Sequence, residues 1–426
     1  MKKLFLTLFL CLFSAVLFAE DIKYSFNFYT FFMGVQGKYG DDTAWDYQRI
    51  RVRPGMVVEA EHFKGVLQLN IDSFFGKGKT IDDVGLTERK KNVGVRVAYL
   101  EIINVIPDFT FTAGIKGFSY PYIMLGEGSL IAANYNFGIG NTSLIMMSID
   151  EGNKFSKGGY VVAGEHKDDR KAYILDTVIK GDDFKIRPAF FFVKAEKDWN
   201  SDIHVYTYRD KYTHEKAYIA AVDMKIFFVD LNGAYLKYSN QDFVTEEKLN
   251  AWSFMADAAV HINLGDFSFL PFFTWLGGQK NEDTKKVSFT NTMGDMFLLT
   301  PGGRLFLLQS GGMQDTYVGM CSELLGIDTD KHGGSLGIHG SKTAGLQVSY
   351  KIGAFNCDVL YGYVQSDKKN ILGNKYIGQE VDVMLNYNIT PRLSVLSEMA
   401  YIKKGQEGFL DGNAWQIIVA TIFKGL

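Results

Sequence analysis

Apolar and polar residues alternate with a period of two along most of the chain, the pattern of strands whose two faces meet different surroundings. Val381, Val383, Leu385 and Tyr387 are interleaved with Glu380, Asp382, Met384, Asn386 and Asn388. One face is apolar and ends in an aromatic; the other is polar and acidic. The same pattern recurs at Leu67, Leu69 and Ile71 against Gln68, Asn70 and Asp72, and at Trp252, Phe254 and Ala256 against Ser253, Met255 and Asp257. It predicts eighteen strands, at 22–33, 45–60, 65–75, 93–104, 108–117, 130–138, 141–149, 170–181, 184–195, 215–226, 228–239, 249–262, 267–277, 343–352, 355–366, 375–388, 392–403 and 414–423. Sixteen is the alternative count, because 215–239 and the first strand are softly patterned.

A soluble β-sandwich also alternates, so the connections and the aromatic positions decide. Short links fall at 106–108, 138–141, 181–183, 263–266, 352–354 and 388–392; long polar ones fall near 76–92, 150–170, 196–214, 278–342 and 367–374. Short turns at one end and longer loops at the other, with aromatics near the ends of apolar faces, suit a membrane-spanning barrel with an even number of strands. The expected fold is therefore all-β: one antiparallel transmembrane β-barrel over 20–426, with short periplasmic turns and long extracellular loops. The 278–342 stretch is too long for a plain loop and is expected to fold over the mouth or to hold an extra hairpin.

Parity then gives the inward list. A barrel this wide holds water, so charges can stay hydrated inside, whereas Arg or Lys facing lipid would cost about 2–4 kcal/mol near the midplane. Arg49, Arg51 and Arg53 fall on one face of one strand, about 6–7 Å apart. They read as a cationic ladder along a pore, or more plainly as a solvated strand of a soluble protein. Lys116, Lys185, Arg187, Lys225 and Lys351 also point inward, as do Asp72, Asp176, Asp223, Asp257, Asp358, Glu380, Asp382 and Glu398. Residues 118–130 are unusually apolar for an external loop. They are expected to fold into the lumen and bring Glu127 toward the arginines, the alternative being a loop packed on a neighbouring subunit. The candidate pore-lining and constriction set is Arg49, Arg51, Arg53, Glu127, Lys116, Arg187, Asp72 and Asp382. Arg96 and Glu101 have opposite parity on one strand, so either a bulge lets both face the lumen or one of them lies in a protein interface.

Composition narrows the class. Glycine is 44 residues, aromatics 15% and proline only 7, which argues against disorder. A formal net charge of −3 with mixed signs gives no nucleic-acid footprint. Met1, Lys2 and Lys3, the apolar run Leu4–Phe18, and Ala19 before Glu20 predict a secretory signal peptide over 1–19. The charge-free stretch 128–149 is broken by Asn134, Asn136, Gly138, Gly140 and Asn141, so it is not an apolar spanning helix.

On these residues the chain resembles the bacterial outer-membrane porins of the trimeric general-diffusion type. The resemblance rests on Gln48–Arg53 after an opening strand, on Val97–Glu101, on the apolar segment after the fifth strand, and on a closing strand with Trp415, Ile417, Val419, Thr421 and Phe423 on one face. The chain departs from the pattern by continuing through Lys424, Gly425 and Leu426. The resemblance implies passive diffusion of ions and small hydrophilic solutes across the outer membrane of a Gram-negative-type bacterium. It also implies a homotrimer, contact with outer-membrane lipid and the barrel assembly machinery, and a constriction that includes Arg49, Arg51, Arg53 and Glu127. A substrate-specific, anion-preferring channel is the alternative, and a barrel enzyme or adhesin a third reading.

Other chemistry has little support. The seven histidines form no helical zinc pair, and no cofactor or metal is expected. Asp328, Asp330 and His332 read as solvated loop charge. Ser253 and His261 share a face without a third catalytic partner. Cys357 points outward and Cys321 lies in the long loop, with no disulfide expected between them.

Overall fold

The computed structural model describes residues 22–425 except 40–42, 79–91, 122, 150–152, 156–160, 164–169, 196–211, 243–247, 279–296, 299–304, 306–339, 370–371 and 408–411. The expected signal peptide and the Asp328–His332 segment lie outside these residues.

Eighteen antiparallel strands close a barrel. They are β1 (Lys23–Tyr39), β2 (Thr43–Ala60), β3 (Phe63–Gly78), β4 (Asn92–Ile103), β5 (Phe109–Tyr120), β6 (Ile123–Asn136), β7 (Gly140–Ile149), β8 (Arg170–Lys180) and β9 (Phe184–Ala195). The second half comprises β10 (Tyr212–Ile226), β11 (Val229–Asp242), β12 (Lys248–Val260), β13 (Phe267–Leu276), β14 (Ser341–Ile352), β15 (Phe355–Gln365), β16 (Tyr376–Thr390), β17 (Leu393–Lys404) and β18 (Ala414–Gly425). Ile262–Leu264 extends β12 along β13. Each strand pairs with its neighbours in sequence, and β1 also pairs with β18 from Phe28↔Gly425 to Tyr39↔Ala414. That seam satisfies both outer edges, which hydrocarbon requires of any sheet that spans it.

The two faces differ as their sequence pattern demands. Outward positions carry exposed apolar side chains: Phe26, Ile131, Leu144, Leu175, Tyr235 and Val419 among many. Aromatics mark both rims, with Phe109 against Tyr135 and Phe267 against Tyr350 at the short-turn end, and Tyr173, Phe192 and Tyr218 at the long-loop end. In water such a surface would aggregate; in a bilayer it is the surface that belongs there. The closing strand presents Trp415, Ile417, Val419 and Phe423 outward, while Ala414, Gln416, Ile418 and Ala420 are buried inside.

One expectation needs correction. Residues 118–130, expected as a loop folded into the lumen, are a strand hairpin, because β5 and β6 continue through them and pair to Tyr120↔Ile123 around Pro121. β4 follows β5 only as far as Ala98↔Ile115, and β7 follows β6 only to Ser129↔Ser148. Beyond those pairs the hairpin tip leaves the wall. Gly114 marks the departure on β5: its φ is +140°, and a Cβ there would sit 2.2 Å from the Ala98 carbonyl oxygen. A register shift between Lys116 and Phe118 adds the bend.

The Arg96 parity conflict is resolved by a bulge. The β3–β4 register slips between Gln68↔Val97 and Leu69↔Val95, which leaves Arg96 as the extra residue. Its Nη1 donates to Gln68 Oε1 at 3.1 Å, while Glu101 stays on the inner face beside Lys116.

Candidate functional site

The inner wall divides into sectors. On β2, Arg49, Arg51 and Arg53 face inward, opposite Met33, Phe31 and Tyr29 of β1. Alternation places them there, because the intervening Ile50 is exposed on the outer face. Arg49 and Arg51 are 2% and 6% exposed. Arg53 Nε donates to Asn70 Oδ1 at 3.0 Å, and its guanidinium lies 5.7 Å from the Tyr29 ring centre. The register sets Arg51 opposite Asp72 of β3.

Beyond β1 and β18 lies an acidic strip. Glu380 and Asp382 on β16 and Glu398 on β17 all point inward and are buried. Between the two strips the inner faces of β1 and β18 are apolar: Phe31, Met33, Val35, Ile418 and Ala420. The lumen therefore carries a cationic strip and an acidic strip on either side of an apolar one.

The opposite sector is built differently. Arg187 on β9 clasps Asp176 of β8 with two parallel bonds, Nε to Oδ1 at 2.9 Å and Nη2 to Oδ2 at 2.8 Å. The same Nη2 donates to the Ser119 carbonyl at 3.1 Å, and the Tyr120 hydroxyl donates to the Arg187 carbonyl. The guanidinium sits 4.6 Å from the Tyr120 ring centre and 5.7 Å from that of Phe118. Both rings meet Phe191 edge-on, at 5.6 and 5.9 Å. Strand β9 lies four strands from β5 around the wall, so these contacts cross the inside of the barrel. The tip is latched onto the inner face of the neighbouring wall, where Phe118, Tyr120 and Ile123 join an apolar cluster with Met147, Ile174 and Ile219.

Further down this wall, toward the short turns, charges are paired side by side. Lys185 meets Asp223 at 2.7 Å, and His261 Nε2 lies 2.6 Å from Asp230 Oδ2. Thr274 donates to Asp257 at 2.7 Å. Lys116 reaches Glu101 at 3.3 Å across the Tyr99 ring. Glu127 sits on β6 at the register shift; its side chain lies outside those described. Ser253 donates to the Gly277 carbonyl and does not approach His261 as a catalytic pair would. Among the described residues no cluster of three metal-ligating side chains occurs. Cys357 is a free thiol on the outer face, and Cys321 lies outside the described residues.

A second segment also reaches the lumen. Phe297–Leu298, from the long connection, pairs with Met124 and Leu125 of the tip. Leu305 is fully buried against Leu360 and Val364. It fits because Gly362 has no side chain, and a Cβ at that position would lie 2.5 Å from the Leu305 methyls. The root of this connection is tied down by Asp367. Its carboxylate accepts from Trp275 Nε1 at 3.0 Å and from the Gly278 amide at 3.3 Å, and it pairs with Lys368 at 2.8 Å and Lys342 at 3.3 Å. Burial alone would raise the Asp367 pKa, but the Lys368 and Gly278 bonds outweigh it and hold the carboxyl below its ordinary value. Neither Leu305 nor Asp367 was legible in the sequence, because neither belongs to a periodic pattern. The Gly277–Gly278 pair was the one available hint of a close approach.

No family model matches the chain, and no curated protein matches it either. Solved structures do. OccAB4 of Acinetobacter baumannii superposes with a TM-score of 0.56 at 9% identity, over 96% of this chain and 99% of the other. OpdL of Pseudomonas aeruginosa gives 0.55 at 8%, over 95% and 99%. OpdK of the same organism, solved with vanillate, gives 0.54 at 11%, over 96% and 99%. Another OpdK structure describes it as an outer membrane protein. The chain thus has the eighteen-stranded barrel fold of these proteins along nearly its whole length.

Proposed function

We propose that this chain is an outer-membrane channel that passes small hydrophilic solutes with a preference for anions. The observation that carries the reading is the pairing of three inward arginines on one wall with a bore entered by two separate segments of the chain. A wide, open barrel would discriminate little. A bore narrowed by the β5–β6 tip and by Phe297, Leu298 and Leu305 brings solutes close to the wall charges, where fields are felt least screened. Arg49, Arg51 and Arg53 are the residues assigned to the anion path, with Lys116, Asp72 and Asp382 lining it and Glu127 at the tip. Arg187 is assigned to hold the constriction rather than to meet the solute.

General diffusion is the second reading, favoured by the acidic strip of Glu380, Asp382 and Glu398, which offsets the arginines. A homotrimer, and recognition of the outward aromatic face of β18 by the barrel assembly machinery, belong to the proposal and rest on the porin resemblance.

Planar-bilayer recording of the refolded chain tests the reading. Vanillate is the first solute to try, because OpdK was solved with it. The proposal expects an anion-directed zero-current potential in a salt gradient and saturable block by a small carboxylate. Ohmic steps with neither property would favour general diffusion, and a barrel that inserts without conducting would end the channel reading.

A further inference from the structure

The outer face carries a feature that the channel reading does not use. Lys171, Lys194 and Lys216 stand abreast on β8, β9 and β10, each directly opposite the next in register. They point outward, since the adjoining Ala172, Val193 and Ala217 are fully buried on the inner face. One step toward the membrane centre lies an aromatic row in the same register. Tyr173 stacks on Phe192 at 5.9 Å, and Phe192 on Tyr218 at 4.9 Å. Lys237 on β11 stands level with this aromatic row, between Tyr218 and Trp252, and one step nearer the membrane centre than the other three lysines. Lys171, Lys216 and Lys237 are exposed and make no ion pair among the described residues.

Like charges directly opposite on neighbouring strands repel, and three strands place the row within about 10 Å. The lysines sit at the aromatic rim of the long-loop end, where acyl chains give way to headgroups. Their aliphatic stems can lie on the rings while the ammonium groups reach the headgroup layer. Lipid phosphate is the complement of that geometry. One monoanionic headgroup cannot face the whole row, whereas a headgroup bearing two phosphates spans it. The sector across the barrel is unlike this: at the same rim of β2 the outward charge is Asp46, bonded by Gln36.

We propose that Lys171, Lys194 and Lys216, above the Tyr173–Phe192–Tyr218 row, and Lys237, level with that row, form a binding site on the lipid-facing wall for a diphosphorylated membrane lipid. The site rests on the membrane reading but not on what the channel conducts.

The test uses the full chain refolded in zwitterionic detergent, with diphosphoryl lipid A, monophosphoryl lipid A and inorganic phosphate as probes. Retained lipid is counted by native mass spectrometry. The comparison is with the triple variant Lys171→Gln/Lys216→Gln/Lys237→Gln and with Lys403→Gln, an outward lysine of another sector. The site predicts that diphosphoryl lipid A outcompetes the monophosphoryl form, that the triple variant loses affinity by about ten-fold or more, and that Lys403→Gln retains it. It also predicts a reversal in thermal stability: the triple variant is more stable than the parent in bare detergent, where repulsion is relieved, and less stable once diphosphoryl lipid A is added. Equal retention by parent and triple variant overturns the proposal, and so does displacement of the lipid by millimolar inorganic phosphate, which would make the row a simple anion site. Bilayer conductance, expected unchanged in the triple variant, keeps failure of the lipid site separate from failure of the channel reading.

Discussion

Two sectors of the inner wall use arginine in opposite ways. On β9, Arg187 is engaged on every side by Asp176, the Ser119 carbonyl and the Tyr120 ring, so its charge is consumed in fixing a hairpin that has left the wall. On β2, three arginines run in line beside an apolar strip, Arg49 and Arg51 buried against the wall and Arg53 bonded to Asn70 of the next strand. The residue type and the inward parity are the same. What differs is what each is seen to hold: Arg187 grips the β5–β6 tip, whereas Arg53 bonds to a side chain of the adjoining wall strand. A lumen charge is therefore assigned to structure or to transport by its neighbours across the bore, not by its position on the strand.

The sharpest way to break this contrast is Arg187→Ala. It strips a buried carboxylate of its partner, at a cost of about 3–5 kcal/mol, and frees the tip. Single-channel recording should show a larger and noisier conductance, with little change in ion preference. Arg187→Lys, which keeps the charge but not the two parallel bonds, should fall between. Arg51→Glu is the counterpart. Conductance should change little in size, while the zero-current potential shifts toward cations; an unchanged potential would remove Arg51 from the ion path. Gly362→Leu probes the second inserted segment. The new side chain occupies the place of Leu305, so conductance should rise without a change of selectivity.

The smallest effect is expected at Asp367. Its carboxyl is held below the ordinary value of about 3.9. A depressed folded-state pKa adds stability that is complete above the unfolded value and fades only as pH falls through the folded one. Current noise should thus stay flat from neutral pH down to about 4 and rise below that, as the bonds of Asp367 to Trp275 and Gly278 are lost. Asp367→Asn should show the added noise at all pH values, without the acid-dependent step.

The wall was legible in the sequence because a strand in a barrel has only two faces, and lipid and water enforce opposite chemistry on them. All eighteen strands, the inward arginines, and the conflict near Arg96 that a bulge resolves follow from parity. The interior was harder to read. Gly126, Gly128 and Pro121 made the β5–β6 tip look like a loop, though paired strands run through it. Its docking on Arg187 depends on a contact across four strands, which no local pattern encodes. Leu305 and Gly362 meet for reasons of shape alone. The lysine row needed the register of three strands, because each lysine taken singly is an ordinary strand end.

The seam joining β1 to β18 has a consequence for how the molecule is made. Phe28 finds Gly425 only after almost the entire polypeptide has been laid out, which makes this the least local pairing in the barrel and the costliest in loop entropy. Until it forms, two raw edges stand open, each able to recruit a stranger's strand. A truncation that removes residues 414–425 would leave β1 and β17 in that state permanently, and such a product should clump rather than insert.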